Sequence, residues 1–351
     1  MILPRTILGI LLALATATAS VADEPGAEFV KAKPIQQSKP EYPHKDFKNS
    51  NQAWVDIAYC IDESGATQNI KVIDSVGNKR FESAAIETVR QWTFEPALSD
   101  GKPAWQSRNH AVISFALKDS NDGVRRTFLK QFRQLAKLHD NNKLEEADAL
   151  FWQVHARDDL SLYELSKLWQ QRARYEQLRG DLAKLDVALH RATVALGRWN
   201  DRDSYIQALR LRIETEVRLG QYRTALGGYR SLVKAAGKDS EDALALKPVM
   251  QKLRDMIKSD KPFKIGAEVR EKGGCYRCND SWAFVPARND FTFSNVKGEL
   301  RSIEWSCDRK HHVSEVAELV KWHIPDDWGA CLVQVNGDPG TTFDVIMLPA
   351  K

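Results

Sequence analysis

The chain has 351 residues, too many for one small domain, so two or three domains are expected. Hydrophobic residues make up 43% of it and charged residues 28%, a balance typical of folded, soluble proteins. The formal net charge of +4 is small for a nucleic-acid-binding protein, so nucleic acid is not an expected partner.

The segment 1–22 has the layout of a cleaved secretory signal peptide. Arg5 gives a basic start, the stretch 6–19 is rich in Leu and Ala, and Ser20-Val21-Ala22 offers small residues for cleavage before Asp23. The alternative is an uncleaved inner-membrane anchor, but the uncharged stretch 6–22 is at the short limit for a membrane span. We therefore expect an exported protein that meets a membrane only through a partner.

Composition divides the rest of the chain into four segments, which predicts a multidomain protein. Residues 23–40 are rich in Lys, Gln, Pro and Ala and are expected to form a flexible linker. Residues 41–118 mix strands with one helix, as in an α+β domain, and residues 120–258 have the pattern of an all-α domain. Residues 262–351 are rich in strands and turns, as in a small all-β domain.

Regular alternation predicts three strands and one helix in the first domain. From Trp54 onward apolar and polar residues alternate, Glu63-Ser64-Gly65 makes a tight turn, and a second strand returns through residues 70–72. Helical spacing favours a helix over 81–92, and a third strand is expected over 111–117. The expected fold is an antiparallel sheet covered by a helix.

Five short motifs stand in order through this domain. They are Pro40-Glu41-Tyr42-Pro43, Ile61-Asp62-Glu63-Ser64-Gly65, Phe81-Glu82-x-Ala84-Ala85, Trp92-x-Phe94-x-Pro96-Ala97 and Gly101-x-Pro103. Together they resemble the TonB C-terminal domain family, over less than a quarter of the chain.

The resemblance implies a periplasmic, protein-binding domain. Domains of this family bind the periplasmic end of outer-membrane receptors by strand addition. In this mode an extended receptor peptide pairs with the open edge of the domain's sheet. The implied partner is a TonB-dependent outer-membrane receptor or another envelope protein, and the implied role lies in TonB-dependent transport. The residues that the resemblance assigns to partner contact are Pro40, Tyr42, Pro43, His110, Val112 and Ser114.

The sequence also departs from the family. TonB has an N-terminal anchor with a coupling His and a long Pro-rich spacer, whereas the segment 1–22 contains no His and the linker 23–40 is short. TonB ends with this domain, whereas here the domain is followed by the long segment 119–351. The resemblance therefore implies partner binding without establishing energy transduction. The alternative is a periplasmic scaffold in which the TonB-like fold is only a packing unit.

Three stretches of the helical region share one pattern, starting at Asn142, Gly180 and Gly220. Each turn residue is followed by packing residues at +2, +5 and +9, and the three starts are almost evenly spaced. This resembles tetratricopeptide (TPR) repeats, in which a turn separates two helices, although the period here is longer than usual. A plain helical bundle is the alternative, and either fold offers a binding surface without a catalytic group.

Four of the five cysteines, Cys275, Cys278, Cys307 and Cys331, lie in the β-rich region. In an exported protein such clustering favours disulfides, and the expected pairs are Cys275–Cys278 and Cys307–Cys331. A zinc site made by the four cysteines and a Cys-x-x-Cys thiol oxidoreductase are the alternatives. Cys60 lies within a predicted strand and is expected to be a buried free thiol.

The β-rich region has six predicted strands, and Asn336-Gly337-Asp338-Pro339-Gly340 is expected to join the last two as a hairpin. A small β-sandwich or barrel follows. His311 and His312, beside Arg309 and Lys310, are assigned to a solvated loop. No Ser-His-Asp set, carboxylate pair or phosphate-binding loop stands out, so no enzyme, cofactor or metal is expected.

Overall fold

The structure, a computed structural model, describes residues 29–117, 123–196, 201–273 and 279–349. The predicted signal peptide and the pair Cys275 and Cys278 lie outside these residues. An α+β region, a helical region and a β region follow one another along the chain. Among the residues that are described, no helix is long and apolar enough to cross a membrane.

The first region contains the predicted sheet and helix. Its elements are β1 (Phe29–Val30), β2 (Lys33–Gln36), α1 (His44–Lys48), β3 (Ala53–Ile61), β4 (Thr67–Val76), α2 (Lys79–Arg90), β5 (Thr93–Glu95), β6 (Ala97–Ser99), β7 (Lys102–Ala104) and β8 (Gln106–Phe115). An antiparallel sheet has the order β4-β3-β8, and α2 packs on one of its faces. The three strands expected from alternation and the helix expected from helical spacing are confirmed. The third predicted strand is β8, which begins at Gln106 instead of Ala111.

Alternation explains why these strands bury one face against α2. Val55, Ile57 and Tyr59 share a side of β3 and lie in one buried cluster with Phe81 of α2. The turn that follows β3 requires glycine, since Gly65 has a φ of +85° and an added Cβ would lie 1.8 Å from the carbonyl oxygen of Phe94.

The prediction of a flexible linker is wrong for residues 29–36. In the structure β1 pairs with β6, and β2 pairs with β5, both antiparallel. Between them, the Ala32 N–H donates to Oε1 of Gln106 at 2.8 Å. The short strands β5 and β6 offer backbone groups that an extended segment can satisfy, and composition alone does not show such long-range pairing.

The middle region is helical throughout its described part. Its helices are α3 (Arg126–Asp140), α4 (Leu144–His155), α5 (Leu162–Arg179), α6 (Leu182–Leu196), α7 (Arg202–Arg218), α8 (Tyr222–Ala236) and α9 (Glu241–Lys258). The predicted turn residues Asn142, Gly180 and Gly220 end α3, α5 and α7 with φ values of 54°, 75° and 72°. The packing residues expected after each turn are buried or half-buried. The TPR assignment itself stays a prediction.

The β region is a sandwich of two four-stranded sheets. Its strands are β9 (Phe263–Glu268), β10 (Ser281–Phe284), β11 (Asp290–Lys297), β12 (Leu300–Cys307), β13 (His311–Glu315), β14 (Lys321–His323), β15 (Cys331–Gly337) and β16 (Thr342–Met347). The sheets have the orders β10-β15-β12-β13 and β14-β11-β16-β9 and share one apolar core. All six expected strands are present.

Two expectations for this region are wrong. The segment after β15 leads into the other sheet, so β15 and β16 do not form a hairpin. In a sandwich the next strand can join either sheet, and turn residues do not reveal which sheet comes next. His311 and His312 belong to strand β13, which pairs with β12, instead of lying in a loop.

Part of the second face of the first sheet is covered by the helical region. Trp54, which is 1% exposed, and Val76 belong to the same buried cluster as residues of α3 to α7. Arg191 of α6 forms a two-point ion pair with Asp74 of β4, at 2.8 and 3.0 Å. The first region is therefore held in a fixed orientation, with one face under α2 and part of the other against helices.

Candidate functional site

Strand β8 forms one end of the first sheet and carries three of the residues predicted to contact a partner. His110, Val112 and Ser114 lie opposite Ala58, Asp56 and Trp54 of β3. Their side chains point away from α2: Val112 packs against the helical region, and Nδ1 of His110 lies 3.1 Å from Oδ1 of Asp56. The face expected to point outward is thus partly an internal interface.

The start of β8 is contacted by the β region of the same chain. The N–H of Ser107 donates to the carbonyl oxygen of Asp308, with an N–O distance of 2.7 Å. The guanidinium of Arg108 lies 3.6 Å from the Asp308 carboxylate. Sequence reasoning did not find Asp308, because no local pattern links a turn after β12 to a strand that lies far earlier in the chain.

The segment Pro40-Glu41-Tyr42-Pro43 is anchored to the sheet by Tyr42. The ring makes edge contacts with Phe81 and Phe115, at centroid distances of 5.7 Å each. Burial raises the pKa of Tyr42 to about 12, so its hydroxyl stays protonated and donates to the carbonyl oxygen of Asn51. Tyr42 therefore fixes the segment beside the end of β8, while Pro40 and Pro43 are half-buried.

A buried carboxylate holds the helix that follows this segment. Asp46 of α1 is fully buried and accepts hydrogen bonds from Nε and Nη2 of Arg80, both at 2.7 Å. It also accepts from the amides of Asn51 and Asn78. These bonds, of which those from Arg80 have the largest effect, lower the pKa of Asp46 from 3.8 to about 2. Asp46 thereby ties α1 to the start of α2.

We expect the stability of the protein to depend on this carboxylate in acid. Because the pKa of Asp46 is lower in the folded than in the unfolded state, its stabilisation is complete above pH 3.8 and is lost as the pH falls through about 2. Thermal unfolding of wild type and Asp46→Asn should therefore differ most near neutral pH and converge in acid. Asp239→Asn, at an exposed carboxyl, is the control. A stability difference that stays constant down to the lowest pH would contradict this assignment.

One of the two expected disulfides lies within the described residues and is present. A disulfide joins Cys307 and Cys331, which are directly opposed on β12 and β15, with a Cα–Cα distance of 3.9 Å. A zinc site made by all four cysteines is excluded by this bond, since it needs free thiolates. The second expected pair, Cys275–Cys278, lies outside the described residues and stays a prediction. Cys60 is a free thiol, as expected, but is half-buried instead of buried.

Comparisons with known proteins agree on the first region. Residues 38–117 match the family model described as Gram-negative bacterial TonB protein C-terminal. The chain is 29% identical to the protein TonB of Pseudomonas aeruginosa over 70 residues, 20% of each chain. It is also 29% identical to the protein TonB of Yersinia enterocolitica over 63 residues, 18% of this chain and 25% of that one. The chain thus spans a fifth to a quarter of the length of these two relatives.

Two solved structures are similar to part of the chain. The solution NMR structure of the Pseudomonas aeruginosa TonB C-terminal domain has 23% identity and a TM-score of 0.24, covering 26% of this chain and 91% of that one. A structure of the TonB2 protein of Vibrio anguillarum has 22% identity and a TM-score of 0.21, covering 32% and 94%. The family match over residues 38–117 is the one that the sequence motifs indicated.

Proposed function

We propose that this protein is a periplasmic protein-binding adaptor that binds an extended segment of an envelope protein along β8. The observation that carries the proposal is the position of β8, a ten-residue strand at the end of the sheet in a region that matches the TonB C-terminal family. A terminal strand is where a further strand can be added, because its backbone groups define the sheet edge. An outer-membrane receptor of the TonB-dependent type is the partner that the family suggests.

The surroundings of β8 support binding along its second half. The contact with Asp308 lies at Ser107, near the beginning of the strand, and Tyr42 lies beside its end. Since α2 covers one face of the sheet and helices cover part of the other, an incoming peptide would meet the backbone of residues 110–115 and the flanking segment Pro40-Glu41-Tyr42-Pro43. The helical and β regions would then present this edge in a fixed orientation.

The test is capture of solubilised outer-membrane proteins by the full exported chain carrying Ser114→Pro. Proline removes a backbone N–H and fits a paired strand poorly, so capture should fall strongly, whereas Ser114→Ala should capture as wild type does. The full chain is required because an isolated first region would expose Trp54. Circular dichroism and thermal unfolding must first show that each variant is folded.

Val313→Pro is the matched control, since Val313 lies on β13, the terminal strand of another sheet. It should leave capture unchanged. A photo-crosslinker placed on Ser114→Cys, with Val313→Cys for comparison, gives a second readout that does not depend on proline. Equal capture by wild type and Ser114→Pro, together with no crosslink from position 114, would refute strand addition.

A scaffold function is the second candidate, and the Ser107–Asp308 hydrogen bond is the observation that favours it. In that function the chain's own β region would occupy the edge of β8 and no partner strand would be added. The capture and crosslinking experiments distinguish the adaptor from the scaffold. If the protein is a scaffold, folded wild-type protein should capture no outer-membrane protein through position 114.

A further inference from the structure

A large cavity lies where the three regions meet. Its volume is about 940 Å³, within the usual range for ligand sites. Strands β3, β4 and β8 form one wall, Val187 and Arg191 of α6 form part of another, and β12, β13 and β15 close the opposite side. The cavity therefore depends on the assembly of all three regions and belongs to none of them alone.

The described lining of this cavity carries more basic than acidic side chains. Six lining side chains are Lys or Arg, namely Lys71, Arg108, Arg191, Lys272, Arg309 and Lys310. The acidic lining residues are two, Asp74 and Glu304. Low-dielectric walls strengthen the field of such a cluster inside a cavity, so it should attract anions.

Two of these six cations have acidic partners: Arg191 pairs with Asp74, and Arg108 lies 3.6 Å from the Asp308 carboxylate. Glu304 lies 3.8 Å from His311. Lys71 and Lys310 are exposed to the cavity solvent, and within the described chain no carboxylate lies within 4 Å of either ammonium.

Arg309 adds a positive charge whose position is fixed. Its guanidinium stacks on the ring of Phe29, 4.7 Å from the centroid, which fixes its position.

We propose that this cavity binds a ligand that carries two or more carboxylates. Lys71 on the β4 side and Lys310 on the β13 side bind separate carboxylates. The source is either an acidic peptide segment of a protein or a free polycarboxylate. The cavity shares Arg108 and His110 of β8 with the strand-addition edge, but the two proposals are tested with different variants and probes, so either can fail without the other.

Calorimetric titration of the full chain tests the proposal with three probes: a short peptide of alternating Glu and Ser, the same peptide with Gln for Glu, and citrate. Binding of the Glu peptide or of citrate, but not of the Gln peptide, is expected. Binding of the Glu peptide alone identifies a protein source, and binding of citrate alone identifies a free polycarboxylate. If neither binds, or if the Gln peptide binds as tightly as the Glu peptide, the proposal is overturned.

Charge reversal locates the binding. The double variant Lys71→Glu with Lys310→Glu should weaken binding about tenfold or more, because like charges then face the ligand. The matched control is Lys247→Glu with Lys252→Glu, two exposed lysines on α9, which should bind as wild type does. Equal weakening in both pairs would mean a general charge effect and would count against the site.

Cys60 supplies a reporter inside the cavity, since its half-buried thiol is part of the lining. A methanethiosulfonate that carries a sulfonate forms a mixed disulfide with this thiol and releases methanesulfinate. It should react about tenfold faster than the trimethylammonium reagent at low salt, with peptide mapping to identify Cys60. Saturating Glu peptide or citrate should slow this reaction, and an unchanged rate with bound ligand would place the ligand elsewhere.

Discussion

Replacing Trp54 with alanine is expected to lower the free energy of unfolding by about 4 kcal/mol, the cost of removing a fully buried aromatic side chain. Trp54 is 1% exposed and lies on β3, yet it belongs to the buried cluster that contains Phe128 of α3 and Leu162 of α5. Its ring also lies edge-on to His190 of α6, at 6.2 Å between centroids. The substitution therefore opens a void between the first region and the helices.

Denaturation in urea, followed by circular dichroism, measures this loss. Trp105→Ala is the control, because Trp105 is 38% exposed and should cost about 1 kcal/mol or less. Equal losses for the two tryptophans would show that Trp54 does not join the two regions.

Replacing Arg288 with methionine is expected to lower the free energy of unfolding by about 3 kcal/mol, because buried carbonyl groups at the end of α9 lose their hydrogen-bond donor. Arg288 is 5% exposed, and its guanidinium donates to the carbonyl oxygens of Met256, Ile257, Ser259 and Lys261 at 2.6 to 2.9 Å. The final carbonyls of a helix have no partner within the helix, so this side chain both caps α9 and attaches it to the β region.

The same denaturation experiment separates charge from geometry. Arg288→Lys keeps the positive charge but loses the planar set of donors, so it should show an intermediate loss. Arg230→Met, at an exposed arginine of α8, should change stability by about 0.5 kcal/mol or less. A loss for Arg288→Met no larger than that for Arg230→Met would contradict the capping role.

Much of the local structure could be read from the sequence, because it depends on short-range pattern. The alternation after Trp54 predicted β3, and helical spacing predicted α2, since each pattern places apolar side chains on one face. The turn residues Asn142, Gly180 and Gly220 were found because positive φ favours small or amide side chains. The ordered motifs of residues 38–117 likewise indicated the TonB C-terminal family.

The candidate site could be predicted only in part. Strand β8 was placed at the end of the sheet, since a small three-stranded sheet must have terminal strands. The surroundings of Val112 and His110 could not be predicted. Alternation shows that a strand has two different faces, but it does not show which part of the protein covers each face. Asp308 and the basic cavity were missed for the same reason.

By itself, then, the sequence determined which segments are strands and helices, which face of each is apolar, that its first domain resembles the TonB C-terminal family, and that Cys307 pairs with Cys331. The tertiary structure alone decided that helices cover part of the second face of the sheet, that residues 29–36 pair as strands, and that β15 and β16 lie in different sheets. The reason is physical: periodicity is set by neighbours within one turn or one pleat, whereas these contacts join segments far apart in the chain. Their formation depends on how well distant surfaces fit, which no local pattern encodes.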